Sequence, residues 1–352
     1  MPDWTKSMIQ SYEYYIVDPD TWKDKTRIDT ITSCNIERDA DAETLGSASF
    51  DVSEELGECY IRAYLITVQN GIREKHPLGT FLIQTPSSSF DGKAKTVSMD
   101  AYTPLLELKE NPPPIGYYIP KGSNIMNMAY SLANENMRAP VVQAKSDKVL
   151  YSNFVADTDD KWTTFISDLI YNAKYEFGLD EMGSVLFLPI QDTDSLQPIV
   201  EFNDGNSSIL YADVTTEHDL YGIPNVVEVI YSKDSENYYV RVVNDDPDSP
   251  TSTVNRGREI IYRDTSPEFS AEPTNPQIEE YAKNLLKKLS SVEYKIKYSH
   301  GYYPLRLGDC VLLNYTRAGI DNVKAKITSQ SISCTPGCKV TETAVYTASL
   351  WR

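Results

Sequence analysis

The sequence predicts a mainly β fold with an α+β insertion. Short runs of strand character fill both ends of the chain, whereas helical apolar stripes are confined to its middle and one later segment. Turn pairs such as Asn70-Gly71, whose residues tolerate positive φ, punctuate the strand-rich part. At 352 residues the chain exceeds one ordinary domain, and two or three are expected.

Residues 27–104 read as a small antiparallel barrel or sandwich. The runs 34–39, 45–52 and 58–68 have strand character and are separated by acidic or glycine-bearing loops. Asn70-Gly71 and Asp91-Gly92 are hairpin signals, and the second lies between the arms 79–84 and 95–102. Asn111-Pro-Pro-Pro114 is extended by its prolines and marks the expected first domain boundary.

Helices follow. Ser123 is the expected cap of one whose buried face is Ile125, Met128, Ala129, Leu132 and Ala133, ending before Pro140. A second carries the stripe Trp162, Phe165, Ile166, Leu169, Ile170 and Ala173, with Asp159 or Thr158 to cap it and Gly178 to close it. The turn Asp180-Glu-Met-Gly183 then feeds a strand at 185–188, which Pro189 stops. Segments 226–231 and 238–243 form a hairpin, and Asn244 to Ser252 a polar loop. The third helix has Asn275 as expected cap, Pro276 as first helical residue, Glu279 and Glu280 near its positive end, and Lys287 and Lys288 near its negative end. Its stripe is Ile278, Tyr281, Ala282, Leu285, Leu286 and Leu289. Strands return at 292–298, 309–313, 323–333 and 340–350, and no repeat of fixed period suggests a solenoid.

Composition excludes several classes. Apolar runs are far shorter than the roughly 20 residues of a membrane-spanning helix, and the first residues lack the apolar core of a signal peptide. A net charge of −18 opposes a surface that grips nucleic acid, because phosphate binding needs clustered Lys and Arg. Five cysteines (Cys34, Cys59, Cys310, Cys334, Cys338) are too sparse and odd in number for a disulfide framework. Cys334-Thr-Pro-Gly-Cys338 reads either as half a metal knuckle or as a tight turn; no second pair and no nearby histidine completes four ligands. His76, His218 and His300 each stand alone, and no nucleophile elbow, zinc helix or phosphate loop is present. The acid groups 157/159/160, 192/194 and 245/246/248 are what so acidic a chain supplies by chance, and the last lacks the glycine and terminal Glu of a calcium loop. Tyr12, Tyr14, Tyr15, Tyr302 and Tyr303 are either contact anchors or ordinary strand residues.

Several segments, in order, resemble one family. These are Ile36-Glu-Arg-Asp, Leu45-Gly-Ser-Ala-Ser-Phe50, Leu78-Gly-Thr-Phe-Leu-Ile83 and Asp100-Ala-Tyr-Thr-Pro-Leu-Leu-Glu-Leu108. The Trp162 helix follows with its Asp-x-x-Gly turn and Pro-ended strand, then Ile223-Pro-Asn-Val-Val-Glu-Val229 and Pro250-Thr-Ser-Thr253. The Asn275 helix and Tyr303-Pro-Leu-Arg-Leu-Gly-Asp-Cys-Val311 complete the series. Together they are similar to the baseplate or tail hub proteins of tailed bacteriophages and related contractile injection systems.

The resemblance implies two tail-tube-like antiparallel β-barrels and a helix-containing middle domain. Residues 1–112 would form the first barrel, 113–214 with 263–299 the middle domain, and 215–262 with 300–352 the second barrel. It also implies a non-enzymatic structural hub without cofactor or metal: a homotrimer in the virion, assembled in the host cytoplasm. Its partners would be the tail tube or distal tail protein, a tip, spike or fibre protein and the tape measure protein, with DNA only in transit and no membrane insertion. Asp39, Asp41 and Glu43 are the loop acids expected to line its channel. A stop at Arg352 implies that no peptidase, lysozyme or receptor-binding segment is fused here. The rival classes are a host-glycan-binding adhesion module and a cell-wall hydrolase.

Overall fold

The computed structural model describes residues 2–53, 56–90, 95–205, 208–233, 236–267, 269 and 272–351. Seven strands come first: β1 (Ile9–Val17), β2 (Asp24–Ile28), β3 (Ile31–Asp39), β4 (Gly46–Val52), β5 (Tyr60–Gln69), β6 (Ile72–Phe90) and β7 (Lys95–Tyr102). Next are α1 (Leu106–Glu110), β8 (Tyr118–Ile119), α2 (Ile125–Asn136), β9 (Phe154–Val155), α3 (Trp162–Tyr171), β10 (Tyr175–Leu179) and β11 (Val185–Pro189). The chain continues through β12 (Val200–Asn203), β13 (Leu210–His218), β14 (Val226–Lys233), β15 (Glu236–Val243), α4 (Thr253–Arg256), β16 (Ile261–Asp264) and α5 (Asn275–Leu289). It ends in β17 (Ser291–Gly301), β18 (Cys310–Tyr315), β19 (Ile320–Ser333) and β20 (Lys339–Ser349).

The mainly β class with inserted helices is what forms. A 13-stranded sheet runs in the order β13-β17-β20-β19-β3-β4-β7-β6-β5-β1-β2, with β18 on β19 and β12 on β18. It consists of an N-terminal block, β1 to β7, and a C-terminal block joined to it where Ser329–Ser333 of β19 pairs with β3. The other half of β19 pairs with β18, so one long strand serves both blocks.

The hydrogen-bonded order closes in neither block among the described residues. Both are nevertheless curled. Tyr14 and Ile28, at one end of the N-terminal order, share a single core with Cys34 and Ile36 at the other. In the C-terminal block the Phe202 ring of β12 meets Tyr298 and His300 of β17, and the Tyr315 hydroxyl donates to the Ala212 carbonyl at 3.2 Å.

Local signals explain most elements. Asn70 (φ 51°) and Gly71 (φ 77°) make the tight hairpin between β5 and β6. The Asp91-Gly92 turn lies outside the described residues, but its arms pair from Phe90↔Lys95 to Leu82↔Tyr102. Cys334 to Cys338 is the tight turn between β19 and β20, with Gly337 at φ 96°. The helix caps fall close to the expected residues, not on them. Asn124, not Ser123, caps α2 by accepting from the Asn127 N–H. Thr274, not Asn275, caps α5, where the Gln277 side chain reaches back to the Thr274 N–H. Neither Asp159 nor Thr158 caps α3: Asp160 accepts from the Asp157 N–H, while the Trp162 N–H donates to the Asn111 carbonyl. Gly178 does not close α3; it lies mid-strand in β10, where a Cβ would stand 2.5 Å from Leu188.

The chain divides into two compact units, residues 1–214 with 297–344 and residues 215–296 with 345–352. The Asn111 carbonyl is tied to the start of α3, and the layer of α1 to α3 belongs to the larger unit. Strands β14, β15 and β16 form a sheet of their own. The alternating Val227 and Val229 of β14 pack on Ile278, Ala282 and Leu286 of α5. The C-terminal strand block includes β12 and β13.

The smaller unit is the sheet β15-β14-β16 with α5 on one face. The loop after β15 is polar but not wholly solvated. Asn244, Ser249, Thr251 and Ser252 are buried, and the Asn255 amide donates to the Pro247 and Ser249 carbonyls. On the face opposite α5, Glu228 accepts from Arg263 at 2.7 and 2.8 Å and from Tyr239 at 2.9 Å. The Arg263 bond, then the Tyr239 bond, holds its carboxyl below the usual glutamate value. A depressed carboxyl stabilises above its unfolded pKa and loses that contribution as pH falls. Acid titration of the side-chain carboxyl resonances by NMR is expected to show a step for Glu228 below about pH 4.5. Glu228→Gln should remove the step, and an unchanged profile refutes the assignment.

Candidate functional site

Among the described residues of the larger unit, the most connected polar site is built around a turn. The turn Asp180-Glu-Met-Gly183 between β10 and β11 reaches both strand blocks. Its conformation is local in origin: the Asp180 carboxylate accepts from the Ser184 N–H at 2.7 Å, and Gly183 adopts φ 80°. A Cβ at Gly183 would lie 2.7 Å from the Thr80 side chain, so only glycine allows the approach.

On the N-terminal block, the Met182 carbonyl accepts from Trp22 Nε1 at 2.7 Å and from Arg62 Nη2 at 3.0 Å. Arg62 is 1% exposed. It also donates from Nε to Thr80, from Nη1 to Asp24 at 2.8 Å and from Nη2 to the Trp22 carbonyl. Trp22 is presented by a side-chain turn in which Asp18 accepts from the Asp20 and Thr21 N–H groups, leaving Trp22 at φ 55°. Positive φ at an aromatic residue is costly and persists only where its surroundings fix it. Asp24 accepts further from the Tyr64 hydroxyl at 2.8 Å and from Lys75 at 3.3 Å, whose ammonium lies over the Tyr15 and Tyr64 rings. Burial, followed by the bond to Asp24, pushes the Tyr64 hydroxyl up to about 12, so it remains a donor.

On the C-terminal block, Glu181 receives Arg306 as a bidentate pair, with Nε to Oε1 at 2.6 Å. The turn thus fastens the helical layer to both blocks.

A second polar cluster lies within the sheet. Glu342 is fully buried and accepts from the Tyr298 hydroxyl and Gln330 amide, each at 2.6 Å. Gln330 in turn accepts from Arg38 of β3 at 2.9 Å. His300 Nε2 lies 3.3 Å from Glu342 without the alignment of a hydrogen bond, while Nδ1 is 2.6 Å from the Gly301 carbonyl.

The residues singled out in the sequence fall elsewhere. Asp39, Asp41 and Glu43 lie exposed on the β3–β4 turn; Asp39 accepts from the Asp41 N–H, and Glu43 pairs with Lys109 at 2.8 Å. His76 contacts Thr67, His218 stacks on Tyr294, and the structure does not bring the three histidines together. Asp157 and Asp160 lie close enough to Asp168 to raise its carboxyl, after burial. Tyr14 is core, Tyr12 bonds the Thr335 carbonyl, and Tyr302 is buried against Trp4. Cys34, Cys334 and Cys338 are buried thiols; burial pushes Cys338 up to about 12. Among the described residues no group of three or more His, Cys, Asp or Glu side chains is arranged to hold a metal ion. Sequence reading missed Arg62 and Glu342. The signal for Arg62 was an arginine within the otherwise apolar run of β5.

Over nearly its whole length the fold is that of two solved tail proteins. The tail protein from Neisseria meningitidis MC58 superposes with a TM-score of 0.63 at 12% identity, covering 96% of this chain and 96% of that one. The 43 kDa tail protein of prophage MuSo2 from Shewanella oneidensis gives 0.60 at 10% identity, covering 95% and 98%. No family model and no curated protein sequence matches the chain.

Proposed function

We propose that this chain is a structural, non-enzymatic hub of a phage tail tip or baseplate. In this reading three copies form a ring that joins a sixfold tail tube to a threefold tip or spike. The observation that carries it is the pair of strand blocks joined in one sheet, within a fold shared along its length with tail proteins. Three chains with two blocks each offer six comparable units to a sixfold neighbour while keeping threefold symmetry towards the tip. The tail tube or distal tail protein would bind one side and a tip, spike or fibre protein the other, with the tape measure protein and DNA passing through. At −18 per chain the ring repels phosphate, so DNA would slide in transit without adhering. Asp39 and Asp41 are the first candidates for the channel wall, and Glu43 contributes less because Lys109 neutralises it. The chain would be assembled in the host cytoplasm and reside in the virion.

Native mass spectrometry and negative-stain imaging of the purified chain test this. A trimeric ring with a central hole is expected. A strictly monomeric chain, or a hole lined mainly by Lys and Arg, overturns the reading.

A further inference from the structure

The helical layer carries a two-stranded ribbon with one buried and one bare face. Tyr118 pairs with Val155 and Ile119 with Phe154, and the ribbon continues through the Gly122 N–H to Leu150 carbonyl bond and the Asn124–Val149 bridge. Ile119 and Leu150 are buried, and Phe154 lies on the Phe165 ring. Alternation then turns the neighbouring side chains outward. Tyr118 is 55% exposed, Val149 44%, Tyr151 88% and Val155 59%, while Ile115, on the turn leading in, is 99% exposed.

Single apolar side chains on a surface need no explanation, but a contiguous group does. At these exposures the five present on the order of 700 Å², close to the ~800 Å² that each partner gives up in a standard interface. Exposed lysines 121, 145 and 148 flank the ribbon. Residues 111–155 hold four basic and two acidic side chains, in a chain whose net charge is −18. An apolar centre with a charged rim is the ordinary composition of a protein interface.

We infer that this ribbon face docks a second copy of the chain, a proposal that rests on the ring reading above. The occupant follows from charge: a partner with an acidic surface complements the lysines, and another copy is such a partner. Ribbon cannot meet ribbon, because lysines would oppose lysines. The contact therefore joins two different surfaces head to tail, which is the kind of interface that closes a ring.

The test compares the dissociation constant of the full-length oligomer, by sedimentation velocity, for wild type, Tyr118→Ser/Tyr151→Ser and Lys121→Glu/Lys148→Glu. All four positions are exposed, so circular dichroism and the thermal midpoint should not change. Each double variant is expected to weaken assembly by at least about tenfold, as loss of central or complementary contacts does. Wild-type assembly should weaken as salt rises, and the lysine variant should lose most of that dependence. An oligomer of unchanged strength in both variants overturns this interface and leaves the ring reading standing. A wild type that stays monomeric at every concentration sinks both. Binding of phosphatidylglycerol vesicles that is lost in the variants, with assembly unaffected, assigns the face to lipid and also overturns the inference.

Discussion

Arg62→Met is expected to lower the stability of the larger unit by about 2–3 kcal/mol, read as a fall in the urea midpoint at unchanged slope. The size follows from what the substitution strands. Arg62 is buried, and its guanidinium satisfies Thr80, the Asp24 carboxylate and the carbonyls of Trp22 and Met182. Methionine fills much of the volume but donates nothing, so the Thr80 hydroxyl and the Trp22 carbonyl lose this partner, while Asp24 keeps Tyr64 and Lys75 and the Met182 carbonyl keeps Trp22 Nε1. Trp22, held at positive φ partly by the same turn, loses part of the support that keeps it there. Arg62→Lys keeps the charge but not the fork, and should cost clearly less than methionine. Equal losses for the two variants would mean that the geometry of the fork, and not the charge, is what this site needs.

The second large effect is expected at Glu342. Replacing a buried hydrogen-bonded pair with apolar residues of the same shape can be nearly neutral, but only when both partners go. Glu342→Leu leaves the Tyr298 hydroxyl without its acceptor and the Gln330 amide with only the Leu305 carbonyl at 3.2 Å, at a cost of about 2–3 kcal/mol. Burial and then Glu342 push the Tyr298 hydroxyl far above its ordinary range, so it stays a donor at any working pH. Tyr298→Phe in the Glu342→Leu background should therefore recover about 1 kcal/mol, because it removes one stranded donor. A double-mutant cycle without that recovery would show that Tyr298 finds another acceptor.

Local features were legible in the chain, and long-range pairings were not. The Trp162 helix, the Asn70-Gly71 hairpin and α5 follow from side-chain period and turn chemistry, which act over a few residues. Their caps shifted by one or more positions because Asn124 and Thr274 compete with equally good neighbours, and the Asn111 carbonyl takes the place of a capping side chain at α3. The alternation in β14 correctly marks one face as buried, but it cannot say against what. Val227 and Val229 fit the stripe of α5 as well as they would fit a barrel interior. The clasp around Met182 uses a main-chain carbonyl, a group every residue has, so no residue type could announce it. Asp39, Asp41 and Glu43 stand where the sequence places an acidic loop, but the Lys109 partner of Glu43 comes from α1 and leaves no trace in spacing.

The pairing of β3 with the end of β19 also sets a timetable. Ser333 meets Asn35 across almost the whole length of the chain. At roughly 5–20 residues per second of synthesis, the open edge of β3 waits on the order of 15–60 s for its neighbour. An unpaired strand exposed that long is an invitation to pair with another nascent chain. Glu37, Arg38 and Asp39 at the end of β3 act as gatekeepers during that interval, and Arg38 is then drawn into the Gln330 contact once the last strands arrive.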